Sequence, residues 1–486
     1  MLRPIRAPLP HRRRFRLRTA TATAAGVAGL LLTGLAAAPA LSAAAAATTP
    51  DPATRVVVRF KHGTTPAART AALAAAGVRS TFPGAGGALV GRLRPDTDAT
   101  TAAAALARRR AVAWATPAFG ARVAQADQAP LVFDDPGTTG PDGTTGGWLR
   151  RQWDLTGAYG IRTPEAWELA RKAGGEGGRG VTVAVLDTGV AYADRGPYRR
   201  SPDLPAVRMV RGRDFVDGDD FSNDEDGHGT FIAGEIAAAA NNGYGMVGVA
   251  YAAKILAVRV LDQFGQGSSF RVAQGIRYAV DRGAKVINVS IQLTDQNHRP
   301  ATLTAAPDIR GALRYARQRG VSVVAAAGND GVDTVPGRSY AWLSIQVGGT
   351  TERGCVADYS NTGPGLDLVA PGGGSDSRVQ PDDPRCRPNA LPGRAIRQVT
   401  FRAADPTRFL VPDGYAGTSM AAPHVTGTIA LMLAARTLGE NPTPEAIAGR
   451  LKATARDLGY RGPDRSYGAG LLDAAAALGA APLPAG

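Results

Sequence analysis

The chain has 486 residues, 44% hydrophobic and 20% charged, a globular composition with room for a large core and a second, smaller unit. Its net charge of +15 suggests a nucleic-acid partner, but residues 1–47 carry seven arginines and no acid, and residues 48–125 carry eleven Lys or Arg against three Asp. The rest balances at 38 basic and 38 acidic residues, which excludes a basic nucleic-acid face on the main domain.

The N-terminus has the order of a secretory signal: arginines from Arg3 to Arg18, the apolar run AGVAGLLLTGLAAA (25–38), then small residues in APALSAAAAA. The apolar run is too short for a membrane span. RRRF (12–15) admits a twin-arginine route, the general secretory route being preferred. Residues 52–120 alternate strand and helix patterns (TRVVVRFK, ARTAALAAAG, GALVGRL, TAAAALARRR, AVAWATPAF) and predict a small α+β unit; His62 lies in it, and burial there would make the unit acid-sensitive. A Pro/Gly/Thr-rich stretch, DDPGTTGPDGTTGG, marks a linker.

From Gln152 onward, continuous apolar runs predict buried strands at 181–187, 254–261, 285–291, 321–328 and 343–349. Helical stretches near 268–282 and 306–319 supply crossovers. The class is α/β, a mainly parallel sheet covered by helices on both faces, with chemistry at the carboxyl ends of its strands.

Asp187 ends the first of these strands, in VAVLDTG; taken alone it reads as a turn-forming residue before Thr-Gly sooner than as a functional carboxylate. Ser419, in YAGTSMAAPHVTG, stands where a Gly-Thr-Ser turn opens a small-residue helix, either presented for chemistry or serving as an N-cap. A serine nucleophile needs a base, and the base a carboxylate. Of five histidines, His11 is in the leader, His62 in the small unit, His298 in a polar loop, and His424 on a different face of the Ser419 helix. His228, in DGHGTFIAG between glycines, remains.

Together the blocks VAVLDTGV, DGHGTFIAG and GTSMAAPHVTG resemble those of the subtilisin-like serine proteases, in the order Asp, His, Ser; the likeness extends over about 152–478. The resemblance implies a serine endopeptidase with Ser419 as nucleophile, His228 as base and acid, Asp187 as orienting carboxylate and Asn329 (in AAAGND) as oxyanion donor. By itself Asn329 reads as a strand-end turn residue. It implies substrate binding along Ser290, Ile291, Gln292, Ala326, Ala327 and Gly328, although SIQL (290–293) departs from the glycines usual there. It implies a structural calcium ion held by Gln152, Asp203 and Asn242 side chains and the carbonyls of Ala240, Tyr244 and Met246, all oxygen donors as Ca²⁺ prefers; without it, NNGYGMVGVA reads as a glycine-rich helix-end loop. No organic cofactor is implied.

The domains expected are a signal peptide (1–47), an inhibitor-type propeptide (48–125), a processing region (126–150), a peptidase domain (151–480) and a tail (481–486). Self-cleavage is expected within some 30 residues after Phe119, at VAQADQAP or alternatively at LRR (149–151). The partners implied are polypeptide substrates and the chain's own propeptide, acting on a monomer; the alternative is an inactive peptide-binding scaffold. Cys355 and Cys386, the only cysteines, permit one disulfide in an exported chain, worth about 3–4 kcal/mol, or are two separate buried thiols. The family often has a second histidine where Phe231 stands. DFVDGDDFSNDEDG (214–227) carries seven acids and reads first as a solvated loop, the alternatives being a selector of basic substrate residues or a weak second cation site. A longer segment, 373–413, precedes the nucleophile block and is expected as a flap beside the cleft.

Overall fold

The computed structural model describes residues 54–83, 87–118, 133–138, 146–294, 300–301, 303–333, 335, 341–378, 383–388, 390, 392–403 and 405–485. The leader and His298 lie outside them. The chain divides into two units, 1–125 and 126–486, each considered by itself.

In the first unit, strands β1 (Arg55–Phe60), β2 (Val78–Pro83), β3 (Leu89–Leu93) and β4 (Val112–Pro117) form an antiparallel sheet in the order β2-β3-β1-β4. Helices α1 (Pro66–Ala75) and α2 (Ala99–Ala107) start where side chains cap them: Thr65 accepts from Ala68 N–H, with Pro66 following, and Asp98 accepts from Thr101 N–H. Val56, Val58, Leu93 and Leu106 make the core of this α+β unit. His62 is exposed, which removes the acid sensitivity expected from burial.

The second unit contains a seven-stranded parallel sheet built from β5 (Thr182–Asp187), β6 (Met209–Asp214), β7 (Lys254–Arg259), β8 (Val286–Val289), β11 (Ser322–Ala326), β12 (Ile345–Thr350) and β13 (Leu368–Pro371). A two-stranded pair, β9 (Leu293–Thr294) and β10 (Pro300–Ala301), follows β8. The sheet order is β13-β12-β11-β8-β5-β7-β6. Both faces are covered, which explains the unbroken apolar runs: Val183 and Val185 of β5 enter one core, Ala184 and Leu186 the other. The first core holds α5 (Thr163–Lys172), α6 (His228–Ala237) and α9 (Thr418–Ala434); the second holds α7 (Ser269–Asp281) and α8 (Pro307–Gln318). Short helices α3 (Trp148–Arg151) and α4 (Trp153–Thr156) open the unit; α10 (Pro444–Thr454) and α11 (Ala474–Leu478) close it.

The chain starts this sheet at β5, extends it one way through β7 and β6, and returns to extend it the other way through β8. That reversal lies beside the end of β5, where a parallel sheet forms its binding crevice.

Two segments carry packing that their sequence did not announce. Residues 133–138, inside the stretch assigned to the processing region, pack into the second unit: Phe133 is 3% exposed, 4.8 Å from the Trp167 ring and 4.9 Å from that of Tyr251. Gly137 N–H donates to Gly245 O, and Gly245 N–H to Thr138 O. Segment 373–413 carries a hairpin, β14 (Thr400–Arg402) and β15 (Asp405–Leu410), and a disulfide joins Cys386 to Cys355. Thr400 donates its hydroxyl to Gly227 O, so the hairpin reaches the loop before His228.

Candidate active site

Asp187 is the last residue of β5 and fully buried. Its Oδ1 accepts from Thr188 N–H at 2.8 Å and lies 2.7 Å from His228 Nδ1. His228 opens α6 and keeps 24% of its side chain exposed. The flanking glycines are steric requirements: a Cβ on Gly229 would stand 2.0 Å from Gly189 O, and one on Gly227, at φ 110°, would stand 2.5 Å from Phe401 O. Burial works to lower the His228 pKa. The charge and hydrogen bond of Asp187, with Asp226 and Asp224 behind, outweigh it and push the ring up to about 9.

Ser419 is the second residue of α9, half-buried, with Oγ 3.3 Å from Ser290 O. Pro423 sits six residues into this helix, deeper than the first turn. Lacking an N–H, it leaves Ser419 O without its helical donor. Ser290 Oγ fills that role at 2.8 Å, and is itself held by Asn288 Nδ2 at 2.9 Å, while Asn288 Oδ1 accepts from Thr426 Oγ1. Asn329 follows β11 and is exposed. Its Oδ1 accepts from Thr418 N–H and Thr418 Oγ1, both at 2.8 Å, which fixes the amide with its NH₂ on the other side. Gly417 beside it carries no side chain; a Cβ there would be 3.4 Å from Asn329 Nδ2. The Ser419 N–H lies in the first turn of α9, where a helix supplies no partner.

The acidic loop is largely consumed by structure. Arg259, at the end of β7 and 2% exposed, binds Asp214, Asp217 and Glu225, each at 2.7 Å. Asp224 is fully buried and accepts from Thr188 Oγ1, Thr230 N–H and Oγ1, and the N–H groups of Asp226 and Gly227. This knot ties the loop before His228 to the turn after Asp187. Asp226 accepts from His228 N–H at 3.0 Å and, with His228, Ser290, Ile291 and Gln292, lines a cleft of about 1200 Å³.

His424 lies apart from this cleft. It is fully buried, its Nε2 3.1 Å from Asp154 Oδ2 and its Nδ1 2.8 Å from both Glu235 Oε1 and Met420 O. Phe231 is buried and stacks on Tyr415 with centroids 4.2 Å apart, so it packs α6 against the segment leading to Ser419.

The residues assigned to calcium gather around the 241–246 turn. Asp203, 1% exposed, accepts from Met246 N–H at 3.0 Å and Asn242 Nδ2 at 2.9 Å. Gln152 is paired through both amide atoms with the Val247 backbone, and Asn242 Oδ1 accepts from Tyr244 N–H. Gly245, at φ 63°, lets the turn close on Asp203, whose Oδ2 a Cβ would meet at 2.3 Å. A second buried carboxylate, Asp135, accepts from Asn241 and Asn242 N–H. Burial holds both carboxyls above their ordinary range, Asp203 well above it, and Arg208 acts on Asp203 only through its charge, without a hydrogen bond. Oxygen donors around under-compensated buried charge fit a hard cation. Sequence reading missed Asp135, Asp224, Arg259 and Thr418: Asp135, Arg259 and Thr418 act through partners remote in the chain, and Asp224 joins its own loop to the remote Thr188.

A family model described as the subtilase family matches residues 178–470. Thermitase of Thermoactinomyces vulgaris is 36% identical over 273 residues, 56% of this chain and 79% of its own. Subtilisin Savinase of Lederbergia lenta is 35% identical over 300 residues, 62% of this chain and 91% of its own. A solved structure of proteases from Pseudoalteromonas arctica PAMC 21717 superimposes with a TM-score of 0.55 at 30% identity, covering 71% of this chain and 98% of that one. With the fold, the order of the three blocks and these relatives in agreement, the chain belongs to the subtilase family of serine endopeptidases.

Proposed function

We propose that the chain is a secreted serine endopeptidase, made as an autoinhibited zymogen, acting through Asp187, His228 and Ser419 with Asn329 as oxyanion donor. The observation that carries this is the closed Asp187–His228 pair at 2.7 Å at the end of β5, together with a partly exposed serine in the first turn of α9 and an amide fixed by Thr418. Ser419 Oγ adds to the scissile carbonyl while His228 Nε2 takes its proton. Asp187 holds the Nδ1–H tautomer and steadies the imidazolium. The oxyanion is bound by Asn329 Nδ2 and Ser419 N–H. His228 then protonates the leaving amine, and water hydrolyses the acyl-enzyme by the same steps in reverse. Substrate backbone adds along 290–292 and 326–328. The test is labelling with a fluorophosphonate: attachment at Ser419, absent in Ser419→Ala, supports the reading, and an unlabelled protein that cleaves no peptide leaves the scaffold alternative.

The base must be neutral to accept a proton, so kcat/KM should rise with pH through the raised His228 pKa, about 9. Asp226→Asn removes one negative neighbour and is expected to move this limb toward lower pH, measured as a pH–rate profile. An unmoved limb would show that Asp226 does not act on the base.

Residues 48–125 are proposed as the propeptide, removed by cleavage upstream of Phe133. Cutting at LRR would discard Phe133 from its aromatic cluster and would require unwinding α3, whose Trp148 is fully buried. N-terminal sequencing of the secreted form should return a residue between 120 and 132; a start at Gln152 overturns this boundary. Among the described residues no helix is long and apolar enough to cross a membrane.

Calcium is proposed at the 241–246 turn, held by Asp203, Gln152, Asn242 and the Ala240, Tyr244 and Met246 carbonyls. Bound there, it supplies charge compensation and rigidity, not chemistry. Chelation should lower Tm, and Asp203→Ala should remove most of that difference; equal melting curves with and without chelator would eliminate the ion.

A further inference from the structure

We infer that Gln292 determines specificity by closing the slot that receives the side chain preceding the scissile bond, so that the enzyme prefers small residues there. The inference rests on the proposed triad and oxyanion donor. β8 and β11 are parallel neighbours, so the segments leaving them, 290–292 and 327–329, form facing walls. Ser419 Oγ stands against the first wall, 3.3 Å from Ser290 O, and Asn329 belongs to the second. A carbonyl lying between Ser419 and the Asn329 amide sends its preceding side chain between those walls.

Gln292 spans that gap. Its Oε1 accepts from Asn329 N–H at 2.8 Å, and its Nε2 donates to Asp330 Oδ2 at 2.7 Å. The far anchor is itself fixed. Asp330 Oδ2 accepts from Asn361 Nδ2 at 3.1 Å, and Asp330 N–H donates to Asn361 Oδ1 at 3.0 Å, with Asn361 2% exposed. The Gln292 amide also lies over the second wall, its Oε1 3.5 Å from where a Gly328 Cβ would be. A glycine at 292 would leave the slot open. Glutamine fills it with a two-ended clasp, one end on a carboxylate, which a bulky substrate side chain must break before it can enter.

The experiment compares kcat/KM of the mature enzyme on peptides identical except for Ala, Leu or Phe before the scissile bond. The wild type is expected to favour Ala. Gln292→Gly should shift the Phe/Ala ratio toward Phe by roughly tenfold or more, the loss of two hydrogen bonds and the gain of volume acting together. Asp330→Ala, which frees only the Nε2 end, should shift it the same way by less. A wild type that accepts Phe as readily as Ala, or a ratio unmoved by Gln292→Gly, overturns the clasp while leaving the protease reading intact. Loss of fluorophosphonate labelling at Ser419 would instead sink that reading, and the clasp with it.

Discussion

Asn329→Ala is expected to lower kcat by about 10²–10³-fold with KM little changed. The size is that established for loss of such a donor in subtilases; the structure supplies the reason for the direction. Asn329 Oδ1 is committed to Thr418 N–H and Oγ1, so its NH₂ is presented without having to choose between orientations. A donor already fixed costs nothing to reorganise when charge develops on the carbonyl oxygen. Thr418→Val keeps the backbone bond and removes the hydroxyl one, so kcat should fall by a smaller factor, about three- to tenfold, and Thr418→Ser should restore it. Steady-state kinetics of the three variants decide the matter. An Asn329→Ala enzyme with unaltered kcat would remove the residue from the mechanism, and a Thr418→Val enzyme altered only in KM would remove Thr418 as its positioning residue.

His424→Leu should destabilise the second unit by about 3–5 kcal/mol, the cost of stranding buried charge. Burial opposes protonation of His424, but Glu235 and Asp154 overcome it and push the ring up to about 10. Burial raises Glu235 to about 7, against the pull of His424. The His424 contribution has a definite sign: its folded pKa lies above the ordinary 6.5, so the stabilisation is complete below that value and is lost as pH climbs toward 10. Denaturant unfolding in a Ser419→Ala background, which prevents self-digestion, measures the loss. Replacing all three groups together (His424→Leu, Glu235→Gln, Asp154→Asn) should recover much of it. A single variant as stable as its parent would show that the cluster carries no net charge to strand.

The sequence was informative where one residue type answers one local demand. Continuous Val/Ile/Leu runs are what strands covered on two faces require, and five of the seven strands of the large sheet lie within the expected runs to a few residues. β6 escaped because RGRD breaks the apolar pattern, tolerable at an edge paired only with β7. β13 escaped because it is four residues long, also at an edge, and ends in Pro371. In the site, the three motif blocks were legible, and the structure brings His228 against Asp187 as elimination among the histidines suggested. What could not be read was pairing across distance. Nothing near Asp214, Asp217 or Glu225 announces Arg259, so the loop's acids read as solvated and not as partners of one buried guanidinium. Nothing near His424 announces Asp154, 270 residues earlier.

Pro423 has one more consequence. Because it leaves the Ser419 carbonyl to the Ser290 hydroxyl, the backbone of the proposed nucleophile is tethered to the segment leaving β8, along which substrate is proposed to lie. Reagent and target therefore share one mount. On that proposal, thermal displacement of the segment would carry both in the same direction, and the distance between them should vary less than the position of either. Alignment of the proposed attacking oxygen would then be a property of the tether, kept while the rest of the cleft adjusts to a bound peptide.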